Sequence, residues 1–197
     1  MGLDPDMRCT AFAGTRFLAT GTLMEAALAA KGAQDAGDEG LIFIFNEATG
    51  RAVDVDLRGS VEAVRGRLAP VFPADLAPPP PTPPRPGRPK LGVVAREVTL
   101  LPRHWEWLNS QPGGASVALR KLVDAARHAN EGADRVRQAR EAAYRFMSTM
   151  AGDRPGFEEA ARALFAGDRA GLETYSQGWP TDVRTHALRL AEPAFTA

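Results

Sequence analysis

A single cysteine, Cys9, stands in the 197 residues, so no internal disulfide can form. Histidine is nearly as scarce. His104, His128 and His186 are the three, and none lies in a HExxH, HxH or CxxC context. A zinc site would have to draw on histidine and carboxylates, so no metal and no cofactor is expected. No apolar run approaches the ~18–20 residues that a membrane helix requires, and Met1–Cys9 reads as too polar for a signal peptide. The nucleophile-elbow, Walker-type and dinucleotide glycine patterns are all missing. Net charge is absent too: 24 Lys+Arg balance 24 Asp+Glu, which excludes a uniformly basic nucleic-acid coat. With 44% hydrophobic and 24% charged residues, wholesale disorder and a collagen-like chain are excluded as well. The expectation is a protein of a reducing cytoplasm, and no residue set names a reaction.

What the chain does hold is proline. Nine of its 16 prolines lie in PADLAPPPPTPPRPGRPK, residues 73–90. Consecutive prolines fix φ and remove amide donors, so neither a helix nor an interior strand can cross this stretch. The reading is a semi-rigid polyproline linker, although PxxP also occurs in peptides that dock on aromatic grooves. The expected organisation is a unit over 1–72, a linker over 73–90 and a second body over 91–197.

Charge divides along the same line. Residues 1–84 carry 7 basic and 11 acidic side chains, residues 85–145 carry 12 and 6, and residues 146–197 carry 5 and 7. Overall neutrality therefore conceals a basic middle between acidic flanks. Such asymmetry suits a phosphate backbone or an acidic partner, and equally an attraction between the two halves. Arginine supplies 21 of the 24 basic residues and alanine is abundant, a composition that points to a bacterium with GC-rich coding.

Residues 10–72 alternate short strands with helices. A tight hairpin is expected around Gly14-Thr15. Thr22 and Glu25 have capping-box spacing, which predicts a helix to about Gln34 that buries Leu23, Ala26, Ala27 and Ala30. Leu41–Phe45 is apolar on both faces and reads as a buried central strand. Val53, Val55 and Leu57 alternate with Asp54, Asp56 and Arg58, the pattern of an edge strand with one wet face. Ser60 suits the cap of a last helix with Val61, Val64 and Leu68. The fold class expected is α+β, with a small ββαββα amino-terminal unit and a mainly helical carboxy-terminal body.

Beyond the linker, Arg96–Leu101 reads as extended and Pro102 as the first turn of a helix carrying Trp105 and Leu108. Pro112-Gly113-Gly114 stops that helix. Ser116 (or Ala115) starts the next, with Leu119, Leu122, Val123 and Ala126 inside and Arg120, Lys121 and Arg127 outside. This order, over Ala95–Arg127, resembles the ribbon–helix–helix DNA-binding fold. The resemblance implies that two chains pair their strands into a ribbon for the major groove, and that the second helix near Ser116 anchors a phosphate. The family register would send Arg96, Val98 and Leu100 to DNA and Glu97 and Thr99 to the core. The opposite phase, which buries Val98 and Leu100, is chemically sounder but is not the family's pattern.

After Gly132 only helices are expected. Val136, Ala139, Ala143, Phe146, Met147 and Met150 form one stripe, and Phe157, Ala160, Ala161, Leu164 and Phe165 a second. Asp168 caps a helix with Leu172 and Tyr175, and Trp179-Pro180-Thr181 leads into a last one with Val183, Ala187, Leu188 and Leu190. His104 is expected on a helix surface or framing an aromatic cluster, and His186 exposed. Trp105, Trp107, Tyr175 and Trp179 read as core more readily than as stacking platforms for bases. Asp54 and Asp56 read as solvated rather than as a cation site or an acid/base pair.

Taken nearly whole, the chain resembles an uncharacterised bacterial family, domain of unknown function 2239. The residues that carry the likeness are FNEATGRAVDVDLRGS (45–60), RPKLGVVAREVTLLPRHWEWLNSQPGGASVALRKLV (88–123), GFEEAARALFAGD (156–168) and WPTDVRTHALRLA (179–191). That resemblance implies a bacterial, soluble protein and carries over no activity or site. From the residues themselves, the expected function is a non-enzymatic binding or regulatory protein acting through the basic 85–145 region. Its partner would be nucleic acid or a protein, not a membrane, and a homodimer fits the same reading. The candidate contacts are Arg96, Thr99, Arg103, Ser116, Arg120, Lys121 and Arg127. The alternative is a small enzyme or ligand-binding protein with a pocket between the two bodies, using His104 or the Asp54/Asp56 face.

Overall fold

A computed structural model of the chain describes residues 7–69, 94 and 96–196. The expected linker at 73–90 lies outside the described residues. β1 (Arg8–Ala13) and β2 (Arg16–Thr22) form the expected hairpin. Gly14 takes φ +55, the left-handed region that a two-residue turn favours and that glycine enters without a Cβ clash. α1 (Leu23–Asp35) follows, with both bonds of the Thr22–Glu25 capping box formed. β3 (Ile42–Asn46) then pairs antiparallel with the far side of β1, giving the order β2-β1-β3.

The central strand is therefore β1. Leu41–Phe45 was expected there and instead supplies the edge strand. β1 alternates between two cores: Cys9 and Ala11 face one and Phe12 the other, all three fully buried. The Cys9 pocket, closed by Leu23, Ala26, Ala27, Ala30, Ile44 and Val64, pushes the thiol up to about 11 by burial, with the Glu47 carboxylate adding to the rise. The thiolate needed for redox or metal chemistry is thus suppressed.

The fourth strand of the expected ββαββα unit does not form among the described residues. The chain turns after β3 and starts a ladder: Val53 N donates to Ile44 O at 2.7 Å and Asn46 N to Arg51 O at 2.9 Å. It then leaves, with a single bridge at Phe45–Ala52. What holds it off is α2 (Val61–Leu68), capped by Ser60 as expected. Arg67 on that helix donates to the carbonyls of Asp56 and Arg58, and the Asp56 carboxylate accepts the Arg58 amide at 3.0 Å. Residues 56–58 are fastened to α2 rather than to β3.

The remaining elements are α3 (Pro102–Ser110), α4 (Gly114–Ala151), α5 (Phe157–Ala166), α6 (Arg169–Tyr175), α7 (Thr181–Ala191) and a 3-10 turn at Glu192–Ala194. The fold is α+β. The helix expected from Ser116 and the one expected after Gly132 are a single element, since α4 runs through Gly132 for 38 residues. One glycine costs a helix only ~1 kcal/mol, and Ala, Arg and Glu around it favour helix. Asp168 caps α6 through the Gly171 amide as expected.

Packing divides the chain into two units: Met1–Pro70 together with Glu131–Ala197, and Val71–Asn130. The body expected over 91–197 is thus shared between them. In the first unit, Ala143, Phe146, Met147 and Met150 of α4 share one core with Phe12 and Phe45 of the sheet and with Leu164, Leu172, Trp179 and Val183. The turn after β3 lies against α4 so closely that a Cβ on Gly50 (φ +64) would sit 1.9 Å from Ala142 O.

Candidate functional site

In the unit Val71–Asn130, the described residues bury little of their apolar surface. Leu108 of α3 and Ala118 of α4 are the buried hydrophobics among them. Trp105, Trp107, Leu122 and Val123 are exposed, as are Val98 and Leu101 before α3. The stripe of α4 that periodicity assigned to a core is therefore open, because two short helical stretches cannot cover one another's full apolar face. Tyr175 is exposed as well, and of the four aromatics read as core only Trp179 is buried. Arg96–Leu101 forms no strand in the single chain, and all of its residues are exposed except the half-buried Leu100.

All seven expected contact residues are exposed: Arg96 and Thr99 ahead of α3, Arg103 in its first turn, and Ser116, Arg120, Lys121 and Arg127 on α4. At about 100° per residue, Ser116, Arg120 and Arg127 fall within an arc of about 40°, while Lys121 stands about 100° from Arg120. α4 thus brings three of its four candidates onto one face. Among the described residues, none of the five basic candidates has a carboxylate within 4.0 Å, whereas Arg137 pairs with Asp134 and Arg145 with Glu141. Arg145 also donates to Thr49 O at 3.0 Å and so helps fix the turn after β3. The stretch of the basic region that remains free for a partner is narrower than 85–145.

The structure also holds a polar cluster in the first unit, built around the buried Thr10 and His186. Thr10 Oγ1 donates to Glu47 Oε1 and lies 2.6 Å from Thr20 Oγ1. Arg189 donates to Glu47 Oε2 and lies 3.1 Å from His186 Nδ1. His186 is 4% exposed, against the expectation of an exposed histidine. Its Nε2 is 3.4 Å from Glu47 Oε1 and has no hydrogen-bond partner. One sequence signal bears on this cluster. His186 falls on the α7 stripe of Val183, Ala187 and Leu190, which was legible; Glu47 sits in a turn and offered none.

Burial pushes His186 down to about 4, with Arg189 adding to the fall and Glu47 opposing it. The unfolded chain therefore binds the proton more tightly between pH ~6.5 and ~4. The stabilisation is complete above ~6.5 and is lost as pH falls through that window, on the order of 3 kcal/mol in all. Denaturant unfolding across pH 4–7 should show the wild type losing more stability than His186→Gln. Equal losses would mean that the imidazole is not held neutral.

A groove of about 430 Å³ opens above this cluster between β2 and α7, lined by Phe17, Thr20, Asp182, Thr185, His186 and Arg189. A second cleft of about 640 Å³ lies beside β3 where the chain leaves its outer edge, with Ile42, Ile44, Val53, Val55 and Asp54 among its walls. Its Asp56 carboxylate is bonded at 2.9 Å through both oxygens to Arg58, which holds it well below the usual range. Among the described residues, no three His, Cys, Asp or Glu side chains gather as a metal site. His104 and His128 are exposed. Gly113 and Gly114 take φ +88 and +74 in the turn that opens α4. No helix of the described residues is long and apolar enough to cross a membrane.

A sheet covered by helices, an open basic helix pair and a polar cluster around His186 make up an α+β protein. Residues 8–191 match the family model described as "Uncharacterized protein conserved in bacteria (DUF2239)", and the chain belongs to that family. Neither the curated proteins nor the solved structures gave a match.

Proposed function

We propose that the protein is a non-enzymatic binding protein of the bacterial cytoplasm that engages nucleic acid through residues 96–127. The supporting observation is that Arg96, Arg103, Arg120, Lys121 and Arg127 are exposed and have no carboxylate partner among the described residues. Thr99 and Ser116 add hydroxyls beside them. Five phosphate contacts would release enough counterions to weaken binding about 500-fold between ~50 and ~200 mM salt. Titration with random duplex DNA at the two concentrations tests this. Absence of binding at the lower salt removes the nucleic-acid reading and leaves a protein partner.

The exposed Leu122 and Val123 of α4, with Trp105 and Trp107 of α3, favour a second copy of the chain as the cover for this face. A concentration-dependent dimer is expected in sedimentation velocity, and Leu122→Glu with Val123→Glu should return it to monomer. A wild-type monomer at every concentration would rule the pairing out.

A further inference from the structure

The groove above Glu47 and His186 has a charge balance that selects its occupant. Arg189 is committed to Glu47, and Arg189 also lies against Nδ1 of His186, so the ring holds its proton on Nε2 and is neutral near pH 7. That leaves Asp182. Its Oδ2 accepts the Phe17 amide at 2.8 Å, and among the described residues no cation lies within 4.0 Å of it. The other walls are the Thr20 and Thr185 side chains and the Phe17 ring, which keeps 42% of its surface exposed. Thr10 gives its proton to Glu47, so Thr20 gives its own to Thr10 and turns its lone pairs outward. The groove thus offers one uncompensated carboxylate, a hydroxyl acceptor and an aromatic face. The charges of Glu47 and Arg189 cancel, so an anion would meet the net negative charge of Asp182. A cation meets complementary groups, including a ring suited to cation–π contact.

We infer that this groove binds a small organic ammonium ion, a primary amine carrying an apolar body. The amine would donate to Asp182 and Thr20, and the apolar body would lie on Phe17 and the threonine methyls. The pair of the largely buried Glu47 with the half-exposed Arg189 is then the support that sets the charge of the floor, and His186 is a neutral wall. This site lies within the first unit and is independent of the nucleic-acid reading.

Benzylammonium, benzyl alcohol and benzoate share one shape and differ in charge, and they serve as probes. Each is titrated at neutral pH against the full chain, followed by the backbone amide resonance of Phe17, which reports on its bond to Asp182. Benzylammonium is expected to bind in the millimolar range and move that resonance, with the alcohol weaker and benzoate without effect. Asp182→Asn keeps an acceptor for the Phe17 amide while removing the charge. It should weaken benzylammonium about tenfold or more, as loss of a charge-assisted hydrogen bond does. No response to benzylammonium, equal response to all three probes, or a preference for benzoate would each overturn the assignment. Where Asp182→Asn fails to fold, the order of the three probes on the wild type decides by itself.

Discussion

Phe146→Ala is expected to destabilise the protein by about 3–5 kcal/mol, a large share of the stability of an ordinary domain. The ring is fully buried, and it is the point at which α4 meets the sheet. Its centroid lies 4.9 Å from Phe45, 5.6 Å from Phe12 and 4.5 Å from the His186 imidazole. Truncation removes the aromatic contacts and leaves a cavity that β1, β3 and α7 cannot all close at once, because each is also anchored elsewhere in the core. Phe165→Ala is the matching control. Phe165 is 49% exposed and leans on Tyr144 at 5.5 Å, so its loss should cost less than about 1 kcal/mol. Urea unfolding of both variants reads the difference. A small effect at Phe146 would mean that the sheet and the carboxy-terminal helices do not share one core.

Local signals in the sequence were legible because their physics is local. Thr22 with Glu25, Ser60 and Asp168 each cap the helix that follows, since a hydroxyl or carboxylate needs only the amides three residues on. The stripe from Ala139 to Met150 was equally readable, and it is buried. What escaped depends on distant partners. Leu41–Phe45 looks central by its own composition, but β1 holds the centre because Phe12 and Cys9 each find a helical layer to face. The alternation at 53–57 is a strand pattern that Arg67, eleven residues beyond Asp56, draws away from the ladder. Of the binding surface, the positions of the basic residues and the amphipathic character of α4 were readable. Its missing cover was not, because an apolar stripe reads the same whether the surface that buries it is its own chain or a partner. Glu47 drew no notice for a related reason: its bonds reach Thr10 and Arg189 and its Oε1 lies 3.4 Å from His186 Nε2, on residues from β1 and α7.

The second large effect is electrostatic. Five basic side chains acting on phosphates give an affinity that falls with salt at a logarithmic slope of about −4.5, since each contact contributes about −0.9. Binding of that kind is insensitive to sequence, because phosphate contacts position a protein without reading bases. Specificity would need base-edge contacts, for which Arg96 is the only charged side chain the ribbon–helix–helix register sends to DNA. Random duplexes should therefore bind almost as well as any chosen one.

The decisive measurement is that slope in the variant Arg96→Gln, Arg120→Gln, Lys121→Gln, compared with the wild type on the same duplex. All three side chains are exposed, so the substitutions should leave the fold intact, as circular dichroism can verify. Removing three contacts should bring the slope to about −1.8, so that raising salt from ~50 to ~200 mM weakens the variant only about tenfold. An unchanged slope in the folded variant, or a wild type that ignores the duplex at ~50 mM salt, would contradict nucleic-acid binding by residues 96–127.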